Sequence, residues 1–381
     1  MPLGNGEVRT AVFPSLVTMK QKYLTAVLLI LGLAIQGSVA LAFETDQYNL
    51  PPEPLADIGD EVTDYVIDNL ERAVEEVNKD IQTAETCLAH EKTNDELCGS
   101  ADSTRKKLAH LRSDDAIAER LYEYLGDGTL LVTKFGRWMR SHKFQAQPAN
   151  YKPGYKESIF VALPSNYLTL SPTVKLYGVD FGVDKLEHLF QQGYEYHKIR
   201  QKGVAEGQTL EKAVEKAVLW GQKTERTYFG TLVSGVYSNG DLYANYAGMR
   251  FYQGLTSELE IDGVRRPPMV MLDDDRWQLA DRSVLRDWLL RPFVTENMNE
   301  ALNPSGYTLL LIRSIRRTIK KRSCPEWHRQ YPMLTEAALR SKTISLERWN
   351  GEDYGFTRKK RMIDLADMCF SDAVPEQPTK P

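Results

Sequence analysis

The sequence predicts a mainly α-helical protein, a helical bundle with an N-terminal αα-hairpin and a minor β or loop segment. Apolar residues recur at helical spacing between residues 62 and 81, and again between residues 108 and 121, with a polar, turn-rich connector between the two stretches. The helical pattern returns from Val183 to about Leu255. Residues 146–182, between these regions, contain prolines, glycines and the β-favouring pieces "SIFVAL" and "TVKLYGV", which predict loops and a small hairpin.

The N-terminal region has the layout of a secretory signal peptide over residues 19–42. Lys20 and Lys22 precede an uncharged apolar run, and the segment ends in the small-residue sequence Ala40-Leu41-Ala42. We therefore expect cleavage after Ala42 and a periplasmic or secreted protein. The alternative, an uncleaved anchor, is disfavoured because a membrane span needs about 20 apolar residues. Residues 1–18 fit no targeting pattern and are interpreted as an upstream extension, so both Met1 and Met19 remain candidates for the start.

All four cysteines follow the predicted cleavage site, and an even number of cysteines in an exported chain predicts disulfides. Of the three pairings that four cysteines allow, we favour Cys87–Cys98 together with Cys324–Cys369. The first pair brackets the short polar loop between the two N-terminal helices and would staple the hairpin. No C-x-x-C spacing occurs, which disfavours a structural zinc site.

The chain divides into three regions after the signal peptide and ends in a short tail. Residues 43–145 are predicted to form the disulfide-stapled hairpin, residues 146–260 a helical core, and residues 261–370 a C-terminal helical region. Residues 371–381 are predicted to be a disordered tail. Within the third region, "LDDDRW" (272–277) lacks the spacing of a calcium loop and is interpreted as an acidic helix entry.

The charge distribution limits the partners of the protein. A formal net charge of −4 argues against nucleic-acid binding. Residues 309–322 nevertheless form a basic amphipathic stretch, for which an envelope lipid or glycan is a candidate partner and peripheral membrane contact a candidate role. The alternative is a solvated helix face.

Three consecutive segments carry the candidate site residues. Asp184 and His188 lie four residues apart and so share one face of a helix, opposite Leu186 and Leu189. On this helix alone, the pattern favours a solvated polar face. In the next helix, however, Glu225 occupies an apolar seam that we trace from Val214 and Val218 through Gly221 to Tyr228 and Leu232.

A carboxylate in an apolar seam is costly unless it is hydrogen bonded, and burial raises its pKa towards the range that a general acid or base needs. In the third segment, Ser238 is placed to cap a helix on which Asp241 and Asn245 share a face with small residues. We therefore expect Asp184, His188, Glu225, Asp241 and Asn245 to meet in one cluster.

This series of motifs resembles that of VanZ-like proteins. "DKLEH" (184–188), Glu225, Ser238 and "DLYANYAG" (241–248) follow the family's order of a D-K-x-x-H, a glutamate and an S-x-x-D-x-x-A-N-x-x-G type element. YfiM-type envelope lipoproteins are similar in the first and last of these motifs. The resemblance covers about residues 180–255 and implies a shared polar cluster. VanZ-like proteins are membrane-embedded, whereas the present helices carry too many charges to span a bilayer, so no membrane-linked role is transferred.

Two classes of function remain open from the sequence. In the first, the protein is an exported envelope protein of unassigned function, structural or ligand-binding, whose cluster holds three helices together with Ser238, Asp241 and Asn245 as network residues. In the second, it is a hydrolase-like enzyme acting on an envelope component, with His188, Asp184 and Glu225 as candidate catalytic residues. A divalent metal is the candidate cofactor, with Asp184, His188, Glu225 and Asp241 as candidate ligands. Metalloprotease, nucleophile-elbow and phosphate-loop motifs do not occur in the sequence.

Overall fold

The computed structural model describes residues 44–89, 98–129, 132–227, 229–358 and 361–371. In this part the protein is mainly α-helical with small antiparallel sheets. The helices are α1 (Gly59–Ala89), α2 (Ala101–Leu111), α3 (Asp114–Leu125), α4 (Lys134–Ser141), α5 (Pro164–Leu168), α6 (Val183–Ala205), α7 (Leu210–Glu225), α8 (Asn239–Thr256), α9 (Arg282–Trp288), α10 (Leu309–Thr318), α11 (Cys324–Gln330) and α12 (Glu336–Ser345). The strands are β1 (Gly128–Thr129), β2 (Val132–Thr133), β3 (Asn150–Tyr151), β4 (Thr173–Leu176), β5 (Val179–Gly182), β6 (Val236–Tyr237), β7 (Leu259–Ile261), β8 (Val264–Arg266), β9 (Val270–Asp273), β10 (Arg276–Leu279), β11 (Ser305–Tyr307) and β12 (Met362–Ile363).

The N-terminal helices follow the predicted apolar periodicity. The stripe of α1 that was predicted from the sequence is buried, and the helix packs against both α2 and α3. The second amphipathic stretch is two helices rather than one, because the chain turns at Ser113, whose backbone N–H donates to the carbonyl of His110. The acidic residues Asp114 and Asp115 then open α3, where negative charge interacts favourably with the helix N-terminus.

The region between the N-terminal helices and α6 contains the predicted hairpin. Strands β4 and β5 pair antiparallel, and Tyr177 and Gly178 turn the chain between them with positive φ values of 53° and 83°. Strand β3 extends this sheet to three strands. The "TVKLYGV" piece is therefore a strand and its turn. The "SIFVAL" piece forms turns that lead into the short helix α5.

The prediction of an acidic helix entry at residues 272–277 is wrong. Strands β9 and β10 form a hairpin there, and the turn residues Asp274 and Asp275 both have positive φ, 44° and 63°. Two consecutive positive φ values are typical of the two-residue turns whose twist matches a β-hairpin, and aspartate tolerates them better than most residues. The acidic pair therefore reverses the chain instead of starting a helix.

Helices α6, α7 and α8 form the centre of the protein, and α6 crosses α8 at very short range. A Cβ built on Gly193 would lie 2.5 Å from the Cα of Gly248, and a Cβ built on Gly248 would lie 2.1 Å from the carbonyl oxygen of Leu189. Only glycine permits this approach of two helix backbones. As a result, the polar residues of the first turns of both helices lie inside the protein rather than at its surface.

Both predicted disulfides are present. Cys87 bonds to Cys98, and Cys324 bonds to Cys369. The second bond joins the start of α11 to the C-terminal segment, next to a second apolar core around Tyr48, Ile315 and Ile319. Disulfides persist in oxidising compartments, so the two bonds indicate a location outside the reducing cytosol.

Several predictions fall on residues that lie outside the described part of the chain. These are the upstream extension, the signal peptide with its cleavage site, and the tail after residue 371. Among the described residues, no helix combines the length and the apolar character that crossing a bilayer requires.

Candidate functional site

The N-terminal turn of α6 carries the first group of polar residues. The helix follows directly from strand β5, and Val183 to Phe190 are all buried. The backbone N–H of Asp184 donates to Ser171 Oγ at 3.1 Å, and its carboxylate accepts from the hydroxyl of Thr45. The polar face of this helix is therefore buried, as the expected cluster requires. Thr45 contacts Asp184, and the α8 side chains Asp241 and Asn245 lie next to His188.

Lys185 lies at the centre of the cluster and is fully buried. Its ammonium nitrogen donates to Asp184 Oδ2 at 2.6 Å and to Glu300 Oε1 at 2.5 Å. The same nitrogen lies 2.6 Å from Asp241 Oδ1, an ion-pair distance without hydrogen-bond geometry. Burial lowers the pKa of a lysine, but the three carboxylates outweigh it and raise the pKa of Lys185 well above its usual value. The lysine is therefore a buried cation held by three acids.

Ser238 joins the start of α8 to two of the acids. Its Oγ accepts from the backbone N–H of Asp241 at 3.0 Å, which caps the helix, and donates to Glu300 Oε1 at 3.0 Å. Its own backbone N–H donates to Glu225 Oε1 at 2.9 Å. Ser238 therefore connects the last residue of α7 with the cap of α8 and with the loop that carries Glu300.

His188 lies one turn further along α6. Its Nδ1 donates to Asn245 Oδ1 at 2.9 Å, since an amide oxygen can only accept. Its Nε2 lies 3.6 Å from Asp241 Oδ2 and has no hydrogen-bond partner among the described residues. The structure thus brings Asp184, His188, Asp241 and Asn245 together, and Glu225 joins them through Ser238.

The acids of the cluster differ in the direction in which their pKa values are shifted. Burial and the neighbouring charge of Asp241 raise the pKa of Glu225 well above its usual value, and burial together with Glu300 does the same for Glu44. Burial, which outweighs the attraction of Lys185, raises the pKa of Glu300 to about 7. Burial also acts on Asp241, but His188 and Lys185 outweigh it and lower the pKa of that carboxyl. These shifts favour the protonated form of Glu225 and Glu44, and they favour the ionised form of Asp241 beside Lys185.

The residues present do not fit the predicted divalent metal site. Oxygens of Asp184, Asp241 and Glu300 lie within 4.8 Å of one another, a spacing that suits a metal ion. The ammonium of Lys185 lies within 2.6 Å of each of these carboxylates, however. A divalent ion would have to share this space with a second positive charge. His188 and Glu225, the other predicted ligands, are not part of this group of oxygens.

Solvent does not reach the cluster. Every side chain in it, from Asp184 to Asn245 and Glu300, is buried. A cavity of about 600 Å³ does occur nearby, between the N-terminal segment and α12, but other residues line it, including Leu50, Trp327 and Tyr331. A substrate would therefore have to open the protein before it met His188 or Glu225.

Sequence reasoning missed several residues of the cluster. Lys185 is the K of the D-K-x-x-H motif, so it was visible in the motif, but a lysine next to an aspartate is expected to be solvated. Glu300, Glu44 and Thr45 carry no local signal, since they come from a loop and from the segment after the predicted cleavage site. Only the tertiary fold brings them to α6.

Comparisons with known proteins give one partial similarity. No family model and no solved structure matches the chain. Over 102 residues it is 35% identical to FAD:protein FMN transferase of Haemophilus influenzae (strain ATCC 51907 / DSM 11121 / KW20 / Rd), which covers 25% of this chain and 30% of that protein. The chain thus spans about a third of the length of this relative. The resemblance to VanZ-like proteins stays a prediction.

Proposed function

We propose that this chain is an exported envelope protein without enzymatic activity, a helical bundle whose buried cluster fixes the positions of α6, α7 and α8. The observation that carries this proposal is the contact of the Lys185 ammonium with Asp184, Asp241 and Glu300 at 2.5–2.6 Å in a fully buried position. Three different parts of the chain supply those acids, so the lysine links them.

Export is supported by two independent features. Residues 19–42 have the pattern of a signal peptide, and both disulfides lie after it. An envelope protein outside the cytosol meets both conditions. The choice between the periplasm and release from the cell is not needed for the proposal.

A structural role is supported by the cost of moving any member of the cluster. Removing one partner of a buried ion pair leaves an uncompensated charge and costs about 3–5 kcal/mol, whereas an intact network fixes one arrangement of the helices. A catalytic group needs contact with a substrate, and the burial of the cluster supplies none. The cluster therefore suits a role in holding helix register.

The test combines the free energy of unfolding with the metal content of the purified protein. We expect Lys185→Met to lower the free energy of unfolding by about 3–5 kcal/mol, since three acids lose their cation. His188→Gln keeps the size and polarity of the side chain and should cost less. We expect no stoichiometric metal in the parent protein, as measured by mass spectrometry of the elements.

Two results would contradict this proposal. The first is one equivalent of a divalent ion in the parent protein that is lost on Asp184→Asn. The second is a Lys185→Met variant that unfolds at the same denaturant concentration as the parent. Either would show that the acids serve something other than the lysine.

A second candidate is a hydrolase-like enzyme that acts on an envelope component. It is favoured by one observation: the buried His188 Nε2 has no hydrogen-bond partner among the described residues, in a cluster where the pKa values of Glu225 and Glu300 are raised. Incubation of isolated envelope fractions with the parent protein and with His188→Gln tests it. Product release by the parent alone, at equal melting temperatures, would favour the enzyme.

A further inference from the structure

Two pairs of exposed leucine and valine side chains adjoin each other at one edge of the protein. The N–H of Thr308 donates to the carbonyl of Gly235 at 2.9 Å, and strands β6 and β11 pair directly behind this contact. The residues next to these two positions are apolar and open to solvent. They are Leu232 (75% exposed), Val233 (48%), Leu309 (68%) and Leu310 (90%), and we call them the apolar edge.

A third segment reaches the same place. Asn166 Nδ2 donates to the carbonyl of Ser234 at 2.6 Å, and Leu168, two residues further along, is 79% exposed. Single exposed leucines are normal on a protein surface, whereas several that neighbouring loops present together are informative. The group of exposed apolar side chains at this edge therefore indicates a contact surface.

Basic side chains continue the apolar edge along α10. At 100° per residue, Leu309, Arg313 and Arg316 lie within about 60° of each other on one helix face. Lys320 and Lys321 extend the row into the π-helical turn Ile319–Ser323, and all four cations are exposed. The opposite face of α10, with Leu311, Ile312 and Ile315, is buried in the second apolar core.

Within the described part of the chain, these cations have no acidic counterparts. No ion pair is described for Arg313, Arg316, Arg317, Lys320 or Lys321 within the residues that the structure covers. The three segments that meet here, residues 158–170, 226–240 and 301–325, contain no aspartate or glutamate at all. In a chain with a formal net charge of −4, this edge is a local region of positive charge.

We propose that the apolar edge and the basic row of α10 bind the surface of an anionic lipid bilayer. The leucines would enter the boundary between headgroups and acyl chains, and the arginines and lysines would contact the lipid phosphates. Basic residues near an anionic membrane surface add to the affinity for that surface, and a single apolar insertion is weak without such charges. The combination of both features at one edge, with no acid among them, is what selects an anionic bilayer as the partner.

The experiment measures partition of the full chain into sedimented vesicles. Vesicles that contain phosphatidylglycerol are compared with vesicles of phosphatidylcholine alone. We expect binding to the phosphatidylglycerol vesicles that weakens with added salt, and at least a tenfold weaker partition for Arg313→Glu/Arg316→Glu. Leu309→Ser/Leu310→Ser should lower the partition by about tenfold. The size of this loss should depend less on salt than the loss in the arginine variant.

Matched controls separate this edge from the rest of the surface. Lys107→Glu/Lys212→Glu makes the same change of charge at other exposed positions, and Leu219→Ser/Met333→Ser removes two exposed apolar side chains elsewhere. Both should bind like the parent. The comparison of variants also cancels any contribution of residues 1–43, which all of the proteins share.

Three outcomes of the vesicle experiment would overturn the proposal. They are equal partition of the parent into both kinds of vesicle, controls that lose as much as the edge variants, and edge variants that bind like the parent. Saturable binding of the parent to a purified envelope protein, with no binding to anionic vesicles, would likewise refute it. The outcome does not depend on the buried cluster, so it leaves the proposed structural role untouched.

Discussion

Lys185 and Ser238 stabilise the cluster in different ways, the lysine by its charge and the serine by hydrogen bonding. The lysine neutralises acids from three parts of the chain, and the serine supplies hydrogen bonds to the helix cap and to two glutamates. Because the cluster is sealed from water, a lost hydrogen bond there is not replaced by solvent. The individual residues can therefore be tested by single substitutions.

Ser238→Ala removes the cap of α8 and one donor to Glu300. We expect the free energy of unfolding to fall by about 1–3 kcal/mol, since the N–H of Asp241 is left buried and unpaired. Chemical denaturation measures this. Ser141→Ala serves as the control, because the Ser141 hydroxyl bonds to the Arg137 carbonyl at the surface, and a change beyond about 0.5 kcal/mol there is not expected. A loss of equal size in both variants would speak against a special role for Ser238.

Glu225→Gln tests the protonation of the cluster. In the native state the pKa values of Glu225, Glu44 and Glu300 are raised, so the native protein binds more protons than the unfolded chain above about pH 4.5. The free energy of unfolding therefore falls as pH increases from about 4.5, and for Glu300 this loss is complete above about 7. Asp241, with a lowered pKa, has the opposite effect: its stabilising contribution is complete above about pH 4 and is lost as the pH falls below that value.

Because glutamine resembles the protonated acid, Glu225→Gln should reduce this pH dependence, by up to about 1.4 kcal/mol per pH unit for the one proton removed. Denaturation at a series of pH values between 4.5 and 8 checks the slope. Glu215→Gln, on the exposed side of the same helix, should keep the slope of the parent. An unchanged slope in Glu225→Gln would mean that this carboxyl is ionised in the native state.

At this scale, sequence reasoning reached half of the cluster. Helical spacing correctly placed Asp184 with His188 and Asp241 with Asn245, because residues three or four positions apart lie on the same face of a helix. The predicted apolar seam that contains Glu225 extends too far along the chain. Helix α7 ends at Glu225, and Leu232 is exposed on the following loop. Glu300 and Thr45 had no spacing to reveal them, because their proximity is purely tertiary.

Among the elements, the crossing of α6 and α8 at Gly193 and Gly248 determines where the cluster lies. Gly248→Ala adds a methyl group 2.1 Å from the Leu189 carbonyl oxygen, so the two helices would have to separate. Alanine normally stabilises an exposed helix relative to glycine by about 1 kcal/mol. Here we expect the opposite sign, a loss of about 3 kcal/mol in the free energy of unfolding.

The control for this substitution is Gly306→Ala. A Cβ at that position would lie 3.6 Å from its nearest neighbours, an ordinary contact distance. Its unfolding free energy should stay within about 1 kcal/mol of the parent. If Gly248→Ala proves as stable as Gly306→Ala, the close crossing is not required.

Long helices were predictable from sequence, and most short strands, apart from the β4–β5 hairpin, were not. The 31 residues of α1 and the 23 residues of α6 repeat their apolar pattern over many turns. Strands such as β7, β8 and β11 have three residues each, too few for an alternating pattern to stand out. The β9–β10 hairpin was missed because its turn uses two aspartates, which also occur at helix starts.

At the scale of the whole molecule, the two disulfides close loops of different length. Cys324–Cys369 closes 45 residues and Cys87–Cys98 closes 11. The entropy of loop closure predicts a loss of about 4 kcal/mol for Cys324→Ser/Cys369→Ser and about 3 kcal/mol for Cys87→Ser/Cys98→Ser. Thermal unfolding of both double variants measures the order. A larger loss of stability on removal of the disulfide that closes the shorter loop would contradict this account.

The backbone of Glu300 donates to Gln47 Oε1 across 253 residues of chain, and Lys185 reaches Glu300 across another 115. Contacts this distant in sequence form slowly, because the intervening chain must be closed into loops first. The centre of the protein thus cannot assemble while the ribosome or a transport channel still holds residue 300. Under the proposed export, the buried centre would therefore form only after nearly all of the chain has crossed the membrane.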